Sequence, residues 1–308
     1  MLKKNCKHIS LLLCQLLCLH FLLTAAPAIR DTVRTSTARQ AIAYLNTMKQ
    51  LDSSVHWPNV DPALLWQNLN TSIRGPLKSF EGKNTNFCAY TAISYINLRN
   101  DPLGFAKFII ELYKNGQAKM GRAIIKPSKA VRMEAGQMIY KGDLDINHLG
   151  QLWFLSLADH FKGYLNILNK KFDQGDENTL WAATNFSKFN QMLRKLFAYK
   201  VTARGSDLIR PNVKVIYDYL HTRLQRGTVF LYLNNRLLYK KNHTKNKIGI
   251  PTHYVVLTDI VKEDDGKLTI IYWDAGRKTL QQVTPELLNK IIFGITYCSN
   301  ATINATEE

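Results

Sequence analysis

The chain has 308 residues, 46% of them hydrophobic, enough for one large single-core domain or two small ones. Its 41 lysines and arginines against 23 aspartates and glutamates give a formal net charge of +18, which favours anionic partners or simply keeps the protein soluble. Five cysteines exclude a disulfide scaffold, and no zinc, phosphate-loop, dinucleotide or serine-hydrolase motif occurs, so no cofactor is called for.

The chain opens with Met1-Leu2-Lys3-Lys4-Asn5-Cys6-Lys7, continues apolar from Ile9 to Ala25, and reaches the small-residue triplet Ala26-Pro27-Ala28. This pattern predicts a secretory signal peptide over residues 1–28. The competing reading is an uncleaved anchor, but Gln15 and His20 interrupt a run already short of the roughly 20 residues a span needs. Cleavage removes Cys6, Cys14 and Cys18, leaving Cys88 and Cys298 in a secreted or periplasmic protein, where they are free to pair.

Ala41, Ile42, Leu45 and Met48 recur at helical spacing behind the candidate caps Ser36 and Thr37, predicting a helix within Thr35 to Leu51. Asp61-Pro62 opens a second helix, with Asp as cap and Pro in the first turn. A polar, turn-rich stretch from Gly82 to Phe87 precedes the apolar run Cys88 to Leu98, read as a helix with the thiol at its N-terminus. Asp101-Pro102 repeats the cap signature, and that helix closes at Asn115-Gly116. Asp145 to Leu168, Phe186 to Phe197 and Val213 to Leu224 carry further helical stripes.

After Arg226-Gly227 the pattern changes. Thr228 to Leu233, Tyr254 to Ile260, Leu268 to Trp273, Thr279 to Val283 and Ile291 to Tyr297 read as strands, separated by turns at Asp264-Asp265-Gly266 and Ala275-Gly276. Helices first and sheet second give an α+β fold, helical over 36–225 and sheet over 226–298, with a polar tail at 299–308.

Chemistry gathers at three residues. Cys88 heads a helix; His253 begins Tyr254-Val255-Val256-Leu257; Asp274 ends Tyr272-Trp273. A thiolate arises near neutral pH beside a helix N-terminus or an imidazole, and a carboxylate orients that imidazole. The turn at Asp264 to Gly266 lies midway between His253 and Asp274, so an antiparallel pair of strands brings them side by side. Taken singly each has a plainer reading: an inert thiol or a disulfide with Cys298, a core histidine, a turn aspartate.

The segment around Cys88, with Arg226 to Leu231, His253 to Leu257 and Tyr272-Trp273-Asp274, resembles the papain-like cysteine peptidases, nearest the bacterial branch of bacteriocin-leader peptidases. The resemblance implies Cys88 as nucleophile, His253 as base and then acid, and Asp274 as orienter. It departs from the family pattern in having Ala89 after the cysteine and no glutamine before it; Asn84 and Asn86 are the available amides for an oxyanion hole.

The expected protein is therefore a papain-like α+β domain over 29–298 that cleaves an amide through an acyl-thioester. Its substrate would be a peptide or protein, anionic or derived from the cell wall, with membrane contact only through an uncleaved signal segment. The alternatives are a transglutaminase or acyltransferase, an antibacterial toxin on the same fold, or an inactive relative that binds an anionic polymer or a protein. The loop Arg236 to Lys247, with Lys240, Lys241, His243, Lys245 and Lys247, reads as a solvated hairpin loop or a positive rim. The basic residues are too dispersed for a nucleic-acid site, and His148 and His160 on the helical middle are assigned no chemistry. Sequons occur at Asn70, Asn185, Asn242, Asn300 and Asn304.

Overall fold

The computed structural model describes residues 34–48, 50–75, 78, 85–138, 146–235 and 249–300, without the side chain of residue 300. The expected signal segment, Asn84, the lysine-rich loop, most of the polar tail and the sequons at Asn242 and Asn304 lie outside the described residues. Among the described residues no helix is long and apolar enough to cross a membrane.

Helices fill the first half, in the order α1 (Ala38–Thr47), α2 (Pro62–Arg74), α3 (Cys88–Asn100), α4 (Pro102–Asn115), α5 (Lys129–Glu134), α6 (His148–His160) and α7 (Phe186–Leu196). A small hairpin, β1 (Ala118–Met120) with β2 (Ala123–Ile125), sits between α4 and α5. Then come β3 (Tyr199–Gly205), α8 (Ile216–Arg226), β4 (Gly227–Leu233), β5 (His253–Lys262), β6 (Leu268–Asp274), β7 (Arg277–Val283), α9 (Pro285–Ile291) and β8 (Ile292–Asn300). The larger sheet is antiparallel throughout, in the order β3-β8-β4-β5-β6-β7.

Local chemistry sets most helix starts. Thr37 and Gln40 form a capping box on α1, while Asp61, Asp101, Asn147 and Asn185 each accept a backbone N–H of the helix that follows. Ser36, the other candidate cap, instead donates its hydroxyl to Asp101 at 2.6 Å and ties α1 to the start of α4. Gly116 ends α4 with φ 67°, where a side chain would be strained.

Alternation along the strands gives the sheet two buried faces. Phe230, Tyr232, Tyr254, Val256 and Trp273 join the core of the helical half. Val229, Leu231, Leu233, Val255, Leu257 and Tyr272 join a second core, covered by Ile216, Leu220 and Leu224 of α8 and by Leu288 and Ile291 of α9. The α8 residues are four apart, one stripe down the helix, and each contributes about 2 kcal/mol of burial.

The structure corrects the sequence reading in four places. The helix expected over Asp145 to Leu168 spans only His148–His160; Phe161 turns extended, and a 3-10 turn at Tyr164–Asn166 follows Gly163. Gly163 lies so close to Asn185 and Lys188 that an added Cβ would meet Asn185 Nδ2 at 2.5 Å, so the chain leaves the helix to pack there. Strand β3 falls inside the span assigned to helices, yet it pairs along β8 as a sheet edge. The hairpin β1–β2 and the short helices α5 and α9 were not anticipated. Asn185 is 1% exposed and caps α7, so its sequon is closed in the folded chain.

Candidate active site

Helix α3 has no apolar stripe because it has no solvent side: every residue from Ala89 to Leu98 is buried. It lies beneath α4 and α6 and packs on β5. Cys88 is its first residue, half-buried and free. The preceding Phe87 is wholly buried and offers no side-chain cap, so the first-turn N–H groups face the thiol's end of the helix uncapped by that residue.

That helix start is clamped to the stretch from Glu177 to Ala183. Asn86 donates its backbone N–H to Glu177 O at 3.0 Å and its side-chain amide to Thr179 O at 2.8 Å. Asn166 donates to Leu180 O and Trp181 O, Tyr90 donates its hydroxyl to Ala182 O, and Lys188 donates to Ala183 O at 3.2 Å. The five consecutive carbonyls from Thr179 to Ala183 are thus taken by the side chains of Asn86, Asn166, Tyr90 and Lys188. One amide hydrogen of Asn86, an expected oxyanion donor, is spent on holding this wall.

His253 is the first residue of β5 and Asp274 the last of β6. The hydrogen bond between His253 Nε2 and Asp274 Oδ1 is 2.6 Å, with side chains 10% and 17% exposed. Alternation sets both in the row of Val255 and Tyr272, at the end of the sheet. The turn after Asp274 is tight: Ala275 has φ 40° and Gly276 φ 91°, the left-handed pair of a two-residue hairpin. A non-glycine residue there costs about 1 kcal/mol, and the strain lies directly beside the carboxylate.

A pair of tyrosines lies on β4 and β5 beside His253. Tyr232 and Tyr254 face each other across β4 and β5 with ring centroids 4.2 Å apart. Burial raises both phenols; the charges of Asp207 and Cys88 raise them further, so Cys88 lies within electrostatic reach of the residue next to His253. Asp207 also accepts from Tyr164 and from the Phe186 N–H.

Sequence reasoning missed Lys188, which is 2% exposed. Its ammonium nitrogen lies 3.5 Å from Asn166 Oδ1 and 5.4 Å from the centroid of the Tyr90 ring. Burial, with Lys162 nearby, lowers its pKa to about 7. Its place at i+3 from the Asn185 cap is legible; its burial is not. Cys298 is a buried free thiol on β8, raised by burial, and is not bonded to Cys88. His148 accepts the Asp61 N–H, and His160 packs edge-on against Phe161, so both have structural partners.

Compared with known proteins, the chain matches no protein-family model, no curated protein and no solved structure.

Proposed function

We propose that the protein is a thiol hydrolase of papain-like type that cleaves an amide bond with Cys88, His253 and Asp274. The observation that carries this reading is the short, partly buried His253–Asp274 hydrogen bond at the head of the strand on which the Cys88 helix packs. Asp274 takes Nε2, so Nδ1 is the nitrogen that would serve the thiol. Cys88 packs with the core on the helical face of the sheet, whereas His253 lies in the row of the opposite face, so the reading requires thiol and imidazole to meet around the end of β5.

In the proposed reaction His253 takes the Cys88 proton and the sulfur attacks the substrate carbonyl. The tetrahedral intermediate collapses to a thioester as His253 gives the proton to the leaving amine. Water, deprotonated by the same imidazole, then releases the acid and the free thiol. The first-turn N–H groups of α3, which the Phe87 side chain does not cap, are the donors best placed for the oxyanion. A transferase would replace the water with another nucleophile at the second step.

Iodoacetamide labelling at pH 6, with the modified cysteine mapped by mass spectrometry, tests the pair. Wild type is expected to label at Cys88 and not at buried Cys298, with His253→Ala slowing the reaction about tenfold or more. Asp274→Asn is expected to slow it less, because it removes the orienting carboxylate and leaves the ring. Equal labelling rates in wild type and His253→Ala would sink the enzyme reading.

A further inference from the structure

Basic residues that look scattered along the chain converge on one ledge of the folded sheet. Strand β8 pairs with β4 on one side and β3 on the other, and the register sets Val229, Tyr297 and Thr202 in one row across the three. Val229 belongs to the core beneath α8, so Tyr297 and Thr202 lie on that face, and alternation sets Lys200 and Arg204 there with them. Helix α8 packs on β4 and β5, and beyond it Lys200 and Arg204 of β3 are exposed.

The helix contributes Tyr219 and Arg223, four residues apart and so on one flank. The guanidinium carbon of Arg223 lies 3.4 Å from the centroid of the Tyr219 ring and 5.9 Å from that of Tyr297. The guanidinium carbon of Arg204 lies 5.4 Å from the same Tyr219 centroid. Two guanidinium groups from different elements thus meet on one ring, with their carbons within about 9 Å of each other, a gap that a phosphate group spans with a fork on each side.

This convergence of like charge has no internal counterion. Neither Arg204 nor Arg223 has a carboxylate partner among the described residues. Asp218, the acidic residue of α8, is five positions from Arg223 and so about 140° away round the helix. Burial lowers the pKa of Arg223 and Arg204 lowers it further, while the groups acting the other way are Tyr219 and Tyr297. The aromatic faces attract both cations but do not neutralise them.

A compact anion with several oxygens fits such a pair, because each fork takes two of them; a single carboxylate occupies one fork and leaves the other charge unanswered. We infer that the ledge binds the phosphate of a soluble phosphorylated molecule, a phosphomonoester or a diphosphate, gripped between Arg204 and Arg223 with Lys200 adding to the field. This site is independent of the Cys88 reading.

The test is titration calorimetry of the purified protein, at about 0.15 M salt to screen diffuse attraction, with inorganic pyrophosphate and with acetate. Pyrophosphate is expected to bind at least about tenfold more tightly than acetate. Arg204→Lys keeps the charge on an exposed edge strand but removes the fork, and is expected to weaken pyrophosphate about fivefold or more. Lys278→Ala removes a charge from β7, at the opposite edge of the sheet, and is expected to leave the affinity within about twofold. Absence of binding at millimolar pyrophosphate overturns the proposal. So does an affinity that Arg204→Lys leaves unchanged, or a loss that Lys278→Ala reproduces, which would reduce the effect to net charge. Sedimentation with phosphatidylglycerol vesicles separates the two sources of phosphate: vesicle binding that excess pyrophosphate fails to displace would assign the arginines to a lipid surface and overturn the soluble ligand.

Discussion

Lys188 is a residue whose setting departs far from its ordinary chemistry. Its ammonium is out of water and meets carbonyl and amide oxygens rather than a carboxylate, so protonation is disfavoured in the folded chain. Between about 7, its folded value, and its ordinary 10.5, the unfolded chain holds the proton more often than the folded one. Stability contributed by this group therefore rises with pH across that window, by up to about 1 kcal/mol per pH unit, and is flat below it. Urea unfolding at pH 7 and pH 9 should show the rise in wild type and its loss in Lys188→Met. An undiminished rise in the variant would place its origin elsewhere. The same variant removes the donor to Ala183 O, so it also loosens the wall beside Cys88.

At the scale of elements, the decisive contact is between α7 and the sheet. Gly294 on β8 has no side chain, and Phe186 of α7 occupies the vacant space: an added Cβ would meet its ring at 2.3 Å. Phe186 in turn stacks on Tyr232, ring planes 3° apart, and Tyr232 stacks on Tyr254 beside His253. A one-carbon change on β8, two strands from β5, is thereby felt at the strand that carries the imidazole. Gly294→Ala is expected to cost roughly 2 kcal/mol, because the ring must leave its rotamer or the helix must lift. Thermal denaturation measures this, and an unchanged midpoint would show that α7 yields freely.

For the molecule as a whole, the sheet has a core on each face, and α3 is enclosed within one of them. Strands β4 and β5 are shared by both cores, whereas β7 is an exposed edge and β3 is a partly exposed one. Groups enclosed on all sides open only when the whole domain does. Amide exchange should therefore be slowest in α3, β4 and β5 and faster in β3 and β7. Exchange from α3 as fast as from β7 would mean that the helical half unfolds on its own. Such rigidity suits the candidate active site, since Cys88 is the first residue of this buried helix.

The sequence by itself determined the α+β division, the capped starts of α1, α2 and α4, the helix headed by Cys88 and the pairing of His253 with Asp274. These follow from neighbours a few residues apart: an Asp-Pro cap, a period of two, a turn placed midway between two strands. Tertiary structure alone decided that α6 stops at His160, that β3 joins the sheet, and that Asn86 holds the wall at Thr179. It also decided the burial of Lys188 and of the Asn97 amide, whose nitrogen has no partner among the described residues. Each of these depends on a partner far along the chain, which local periodicity does not encode. A lysine or asparagine on a helix reads as solvated until the packing around it shows that water is excluded.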